Sequence, residues 1–302
     1  MLRRSRTFVV MFFILAVAIF VGYRFFRIMT TDRTMPVIEM DSESITVSVE
    51  GGDEAILEGV TATDKKDGDI TENLFIESRT NFFDKGRFNV TIAVVDKDNH
   101  VVKTTREVTY SDYISPQFSL SGPLKFQIQS ERNDSLDIAG GLGARDVIEG
   151  NISNRIKISR DYTIVAYTAG DYHMEFIVSN NMGDTVNFPV TVTLYNAAQE
   201  SNLPKIQLSS YLINTPVGSE VDLGTLLQQV TYHGIIYTRS DDGTLYSDRY
   251  DGEGNILTFP SDYVQVDDNV DWSTPGVYEV VIKVIDNSNG LSNTARCYIN
   301  VY

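Results

Sequence analysis

Phe8 to Tyr23 is an unbroken run of sixteen uncharged, mostly apolar residues, and after Arg33 the pattern changes to short stretches of alternating apolar and polar positions. As a helix, the first run covers roughly 24 Å at about 1.5 Å per residue. Extension to Phe26 brings it to roughly 28 Å, close to a hydrocarbon core of about 30 Å, with Arg24 snorkelling to the headgroups. The pattern therefore predicts a transmembrane anchor over 8–26. A cleaved signal peptide is the rival reading, because Ala16-Val17-Ala18 resembles a cleavage site. Against it, Ile19-Phe20-Val21 carries the apolar run straight through the cut. Arg3, Arg4 and Arg6 place residues 1–7 as a short cytoplasmic tail and the body outside the cell.

The body lacks helical periodicity. Phe88, Val90, Ile92 and Val94, with Asn89, Thr91 and Ala93 between them, are a strand with one apolar face. The stretch from Gly86 to Val94 is echoed at Gly170–Val178 and again at Gly276–Val284. Each copy runs into a polar turn (Asp96-Lys97-Asp98-Asn99, Ser179-Asn180-Asn181-Met182-Gly183, Asp286-Asn287-Ser288-Asn289-Gly290) and a second alternating strand ending at Tyr110, Tyr195 or Tyr302. These are three hairpins, each with a glycine at its start and an aromatic residue plugging the core. A proline precedes the first strand of each repeat, at Pro36, Pro116 and Pro204, as suits a first or edge strand that needs no ladder donor. The fold class expected is an all-β ectodomain of three tandem immunoglobulin-like β-sandwiches after one N-terminal transmembrane helix. The repeats cover 34–111, 113–196 and 202–302, and the third is lengthened by an insertion at about 232–263. That insertion reads either as a recognition segment, whose deletion leaves folding intact, or as a plain added β-hairpin that packs its tyrosines on its own domain.

Charge sharpens this picture. Of the formal charge of −16, residues 1–33 carry six arginines and one aspartate, leaving 19 basic and 40 acidic side chains in the remainder. So acidic a body repels phosphate backbones, which argues against nucleic acid as a partner and for tolerance of cations. The one cysteine, Cys297, excludes an intramolecular disulfide, and its place in an apolar run marks it as a buried strand thiol.

Gly59-Val60-Thr61-Ala62-Thr63-Asp64-Lys65-Lys66-Asp67-Gly68-Asp69-Ile70-Thr71, followed by the Gly86 hairpin, resembles a family of bacterial immunoglobulin-like domains. Such domains occur as tandem modules in a crystal toxin and in many Gram-positive cell-wall proteins, and they are similar to hyalin-repeat and cadherin-like sandwiches. The second repeat carries a weaker copy, from Gly143 to Ser153, and the third keeps only the hairpin, so its middle is expected to differ in topology. The resemblance implies a sandwich fold and a surface location, and fold alone does not fix function.

Two groups of residues are candidates for chemistry. Asp64, Asp67 and Asp69, with Asp96 and Asp98 in the hairpin turn, offer carboxylate oxygens to calcium, the one cofactor considered. The same residue types are what turns between strands require. The 232–263 insertion is rich in tyrosine, glycine and aspartate, as recognition loops are. Within it, Tyr237, Arg239, Tyr246, Arg249 and Tyr250 are the expected ligand-binding residues. His100, His173 and His233 fall in different repeats, and no nucleophile motif is present, so the chain reads as no enzyme. The function expected is a membrane-anchored bacterial surface protein that presents a rod for adhesion to an extracellular protein or glycan. The alternative is a structural subunit of an envelope or surface assembly.

Overall fold

The computed structural model describes residues 2–30, 33–128, 137–159 and 168–302. Helix α1 spans Leu2–Thr30, and its Arg6–Arg27 stretch has a mean hydropathy of 2.4 with none of it buried. By length and composition it fits a membrane span, and a signal sequence passes the same test. All remaining regular structure of any length is β, and the chain forms two compact units, Met1–Tyr113 and Ile114–Tyr302.

The first unit contains β1 (Val37–Met40), β2 (Ser44–Val47), β3 (Val60–Asp64), β4 (Gly68–Asp69), β5 (Phe75–Arg79), β6 (Arg87–Val95) and β7 (Val101–Tyr110). They form sheets in the orders β1-β3-β4 and β2-β7-β6-β5. Phe88, Val90, Ile92 and Val94 of β6 are all fully buried, as their alternation predicts. Gly86 opens this hairpin with φ +71°, and a Cβ there would lie 3.0 Å from the Tyr113 side chain, so only glycine fits. Arg106 is a polar exception on the core face of β7. It is 3% exposed, and its guanidinium donates to the carbonyls of Ile56 (2.8 Å) and Glu58 (2.6 Å). This ties the short helix α2 (Gly52–Ile56) and its exit to the sheet and gives the buried Ile56 carbonyl a donor.

The second unit holds two sandwiches. One comprises β8 (Gln117–Leu120), β9 (Lys125–Gln127), β10 (Leu142–Asp146), β11 (Gly150–Asn151), β12 (Lys157–Ile158), β13 (Gly170–Ser179) and β14 (Thr185–Tyr195). The other comprises β15 (Lys205–Leu208), β16 (Leu212–Thr215), β17 (Leu227–Tyr232), β18 (Ile235–Arg239), β19 (Leu245–Tyr250), β20 (Ile256–Thr258), β21 (Val264–Asp267), β22 (Gly276–Ile285) and β23 (Ser292–Val301). The three sandwiches share one topology. In each, the first strand pairs antiparallel with the third, and the second runs parallel to the last: β2 with β7, β9 with β14, β16 with β23. The third differs in its middle, where β18, β19 and β20 extend the first sheet to five strands, β15-β17-β18-β19-β20. Cys297 is fully buried in β23, and burial pushes its thiol up to about 12.

Tyr298 is the largest side chain that crosses between the two sandwiches of this unit. Tyr298 of β23 points out of its own core and packs in the neighbouring one, its ring 5.4 Å from that of Phe188. Its hydroxyl accepts from the Thr191 amide (2.9 Å) and donates to the Thr191 carbonyl (3.0 Å). Around it, the Arg296 guanidinium binds Asp171 (2.6 Å), Glu279 (2.5 Å) and the Thr193 hydroxyl (2.8 Å). Sequence alternation marks Tyr298 only as apolar-face or not; the neighbour it enters is set by tertiary packing. Tyr298→Phe leaves a buried amide and carbonyl of Thr191 unpaired, so urea unfolding of the full chain in detergent should show a loss of about 2–3 kcal/mol. A loss within about 0.5 kcal/mol, the range of ordinary surface substitutions, would mean the hydroxyl does not hold the sandwiches together.

Candidate functional site

The enlarged sheet of the third sandwich is built on two tight turns. Ser240 closes the β18–β19 turn by donating to the Thr244 carbonyl (2.9 Å), with Gly243 at φ +86°. Asp251 closes the next by donating to Asn255 (2.9 Å), with Gly254 at φ +87°. In both, an aspartate side chain caps the turn: Asp242 accepts from the Thr244 amide and the Tyr246 hydroxyl, and Asp251 from the Glu253 and Asn255 amides. The Thr244 amide first, then Tyr246, hold the Asp242 carboxyl below the usual range; Asn255 does the same for Asp251.

This segment is not a separable hairpin. Tyr237, Leu245 and Phe259 from it are each less than 8% exposed and lie in the sandwich core. Tyr232, Tyr237 and Tyr263 all pack edge-on around Phe259, at centroid distances of 5.7, 5.3 and 5.9 Å. Deleting 232–263 would therefore remove part of the core: the tyrosines pack on their own domain, as an added hairpin would have them, and the expectation that deletion leaves folding intact does not hold. Of the five residues expected to bind a ligand, the register puts two on the outward face and two on the inward side. Gln229, Thr238, Tyr246 and Thr258 lie directly opposite one another on successive strands, and Tyr250 lies opposite Ile256, so Tyr246 and Tyr250 share the outward face. Arg239, opposite Leu245, and Tyr237 lie on the inward side, while Arg249 alternates away from both outward tyrosines and is exposed. The outward face also carries Ile236 and Ile256, 51% and 48% exposed, beside Tyr250 at 64%.

The aspartates of the first sandwich have a structural counterpart in each repeat. The register puts Asp64, Asp146 and Tyr232 one step past the pairs Val37/Thr63, Gln117/Arg145 and Lys205/Thr231, beside the buried prolines 36, 116 and 204. Asp96, Asn180 and Asp286 each donate their backbone amide across the hairpin, just beyond its last registered pair. All three are less than 7% exposed. In the second sandwich Asn180 Nδ2 donates to Asp146 Oδ2 (3.0 Å). In the third, the Tyr232 hydroxyl bonds to Asp286, whose carboxylate also takes the Ser288 amide (2.9 Å) and hydroxyl (2.5 Å) and His233 Nε2 (3.1 Å). Burial and this bond push the Tyr232 phenol up to about 12.

In the first sandwich, Asp64 Oδ1 accepts from the amides of Lys66 (2.7 Å) and Asp67 (2.9 Å), and Thr34 donates to its Oδ2 (3.4 Å). Asp67 takes the Lys97 amide (3.0 Å), Asp69 the Thr71 amide (3.0 Å), and Asp98 the Lys66 ammonium (2.5 Å). Asp96 accepts from the His100 amide (2.7 Å) and lies 2.6 Å from its Nδ1. Thr71 holds the Asp69 carboxyl low. At Asp96, burial pulls upward, but the bonds from His100 outweigh it. These acids thus cap and join turns. Among the described residues, no three His, Cys, Asp or Glu side chains converge where a metal ion would be held. The sequence shows an aspartate or asparagine in each hairpin turn, at Asp96, Asn180 and Asp286, but not its burial.

Burial raises the Asp286 carboxyl, but the bonds from Ser288, Tyr232 and His233 lower it by more, leaving it well below the carboxylate range. A depressed folded pKa gives stability that is present above the unfolded value of about 3.9 and is lost as pH falls below it. Asp286→Asn should therefore lower the melting temperature at pH 7, and the gap to the parent should close progressively below about pH 4. A gap that is constant from pH 7 to pH 2 would show that the ionised form is not what stabilises.

No protein-family model matches the chain. An uncharacterized 81.3 kDa protein of Acholeplasma phage L2 is 28% identical over 126 residues, which is 41% of this chain; the chain covers 16% of that protein's length. Among solved structures, the chain is similar to the CBM51-2 and INT domains of ZmpB from Clostridium perfringens, in complex with GlcNAc (19% identity, 48% of this chain and 29% of that one, TM-score 0.21). It is also similar to the lipoprotein BT2262 of Bacteroides thetaiotaomicron (12%, 61% and 98%, TM-score 0.23) and to EC21-23 of human CDH23 (13%, 88% and 100%, TM-score 0.21). Scores this low carry no argument about function. What stands on the chain's own strands is an all-β fold of tandem sandwiches behind one apolar helix.

Proposed function

We infer that this chain is a non-catalytic recognition protein of a cell surface, anchored by α1, which binds an extracellular protein or glycan through the outward face of the five-stranded sheet. The observation that carries this reading is the outward grouping of Tyr246, Tyr250, Ile236 and Ile256 beside a row of Gln and Thr side chains. Aromatic rings give contact area at low entropic cost, and adjacent hydroxyls and amides give direction to hydrogen bonds. The two smaller sandwiches have only two-residue strands, β4 and β11, where this sheet has β18 to β20. The acidic body favours neutral or cationic partners and disfavours polyphosphates.

The reading is tested with full chain in nanodiscs, presented to surface extract and to a glycan array. The Tyr246→Ala/Tyr250→Ala double variant should lose tenfold or more in affinity, about 1.4 kcal/mol, while keeping the parent melting temperature. Phe83→Ala, at an exposed ring of the first sandwich, should bind as the parent does. Equal capture by parent and double variant would remove the outward face from the function and leave the structural-subunit reading.

A further inference from the structure

Beneath the inward side of the same sheet lies a cavity of about 650 Å³ that opens to solvent. Leu227, Leu245 and Phe259 from one sheet and Val264 and Ile282 from the other line it, so it reaches down to core residues. Arg239 lies in its wall, half-buried. Among the described residues its guanidinium has neither an ion pair nor a hydrogen-bond acceptor, although acidic side chains outnumber basic ones 41 to 25. Gly243 makes room for it: a Cβ there would lie 3.2 Å from Arg239 Nη2. The other charged lining residue, Asp262, accepts from Asn287 Nδ2 (3.5 Å).

We propose that this cavity is a binding site for a small aliphatic monocarboxylate, its chain in the apolar bed and its carboxylate on Arg239. A cavity of several hundred Å³ with apolar walls and a few polar groups is the usual form of a small-molecule site. A half-buried guanidinium without an acceptor is a planar double donor matched to a carboxylate. Charge fixes the class further. Among the described residues, Arg239 is the one cation of the wall and Asp262 its one anion, so a single negative charge seated on Arg239 is the most the wall accommodates, and a phosphate dianion would be left largely unneutralised inside an acidic protein. The site is independent of the outward tyrosines and goes beyond the recognition role proposed for them.

Hexanoate is the probe, titrated calorimetrically into full chain in nanodiscs with empty nanodiscs as the blank. Saturable binding is expected, at least tenfold tighter than for the neutral isostere hexanamide. Arg239→Gln should erase that preference while the melting temperature stays near that of the parent. Val266→Trp, at an exposed lining position, should block both compounds by filling the mouth. Tyr250→Ala should change neither, which separates this site from the outward face. No saturable hexanoate binding, equal binding of the amide, or an unaltered preference in Arg239→Gln would each overturn the proposal.

Discussion

Burial of the long terminal hairpin against the facing sheet is the constraint on which every part of this protein depends. With a single cysteine there is no covalent brace, so each sandwich is held by side chains such as Phe88, Val90 and Ile92, or Phe176, Val178 and Phe188, or Val280, Ile282 and Val284. Each such side chain contributes on the order of 1.5–3 kcal/mol when fully buried. The turn at the end of the hairpin must then be fixed without exposing that face. An aspartate or asparagine just past the strand caps that turn three times, and in the second and third sandwiches it also bonds to the residue beside the buried proline.

The residues at this plug differ from one repeat to the next. Asp64 and Asp96 occupy the positions that hold Asp146 with Asn180, and Tyr232 with Asp286, in the other repeats. An acid with an amide, or an acid with a phenol, is a neutral-to-charged hydrogen bond that tolerates burial well. The first sandwich instead places two acids there and satisfies them from backbone amides, Thr34 and His100. The same architectural slot is therefore filled by three chemistries.

The third sandwich shows how a sheet gains outward surface without a second core. Two more strands than in either smaller sandwich lengthen one sheet; the inward residues of this added segment join the existing core through Tyr237, Leu245 and Phe259, and its outward residues are left to solvent. Because strand side chains alternate, one insertion creates two different surfaces: an aromatic outward face and a cavity with a guanidinium in its wall. Tyr298 adds rigidity by locking this sandwich to its neighbour, so a surface on one is carried by both.

The sequence by itself determined the apolar helix, the three hairpins and their shared polarity, because alternation with period two and a long apolar run are local properties of the chain. Phe88, Val90, Ile92 and Val94 were legible as one buried face for that reason. It also showed that the third repeat is longer and lacks the Asp-Gly-Asp-Ile turn. Tertiary structure alone decided what the extra length became. Tyr237 and Tyr250 read alike as tyrosines in a polar stretch, yet one is core and the other solvent, because cross-strand register sets the face. Tyr298 likewise sits in an apolar run that predicts burial, but entry into the neighbouring core depends on contacts more than a hundred residues distant in sequence. Local pattern fixes which residues must be hidden, and only the pairing of distant strands fixes where.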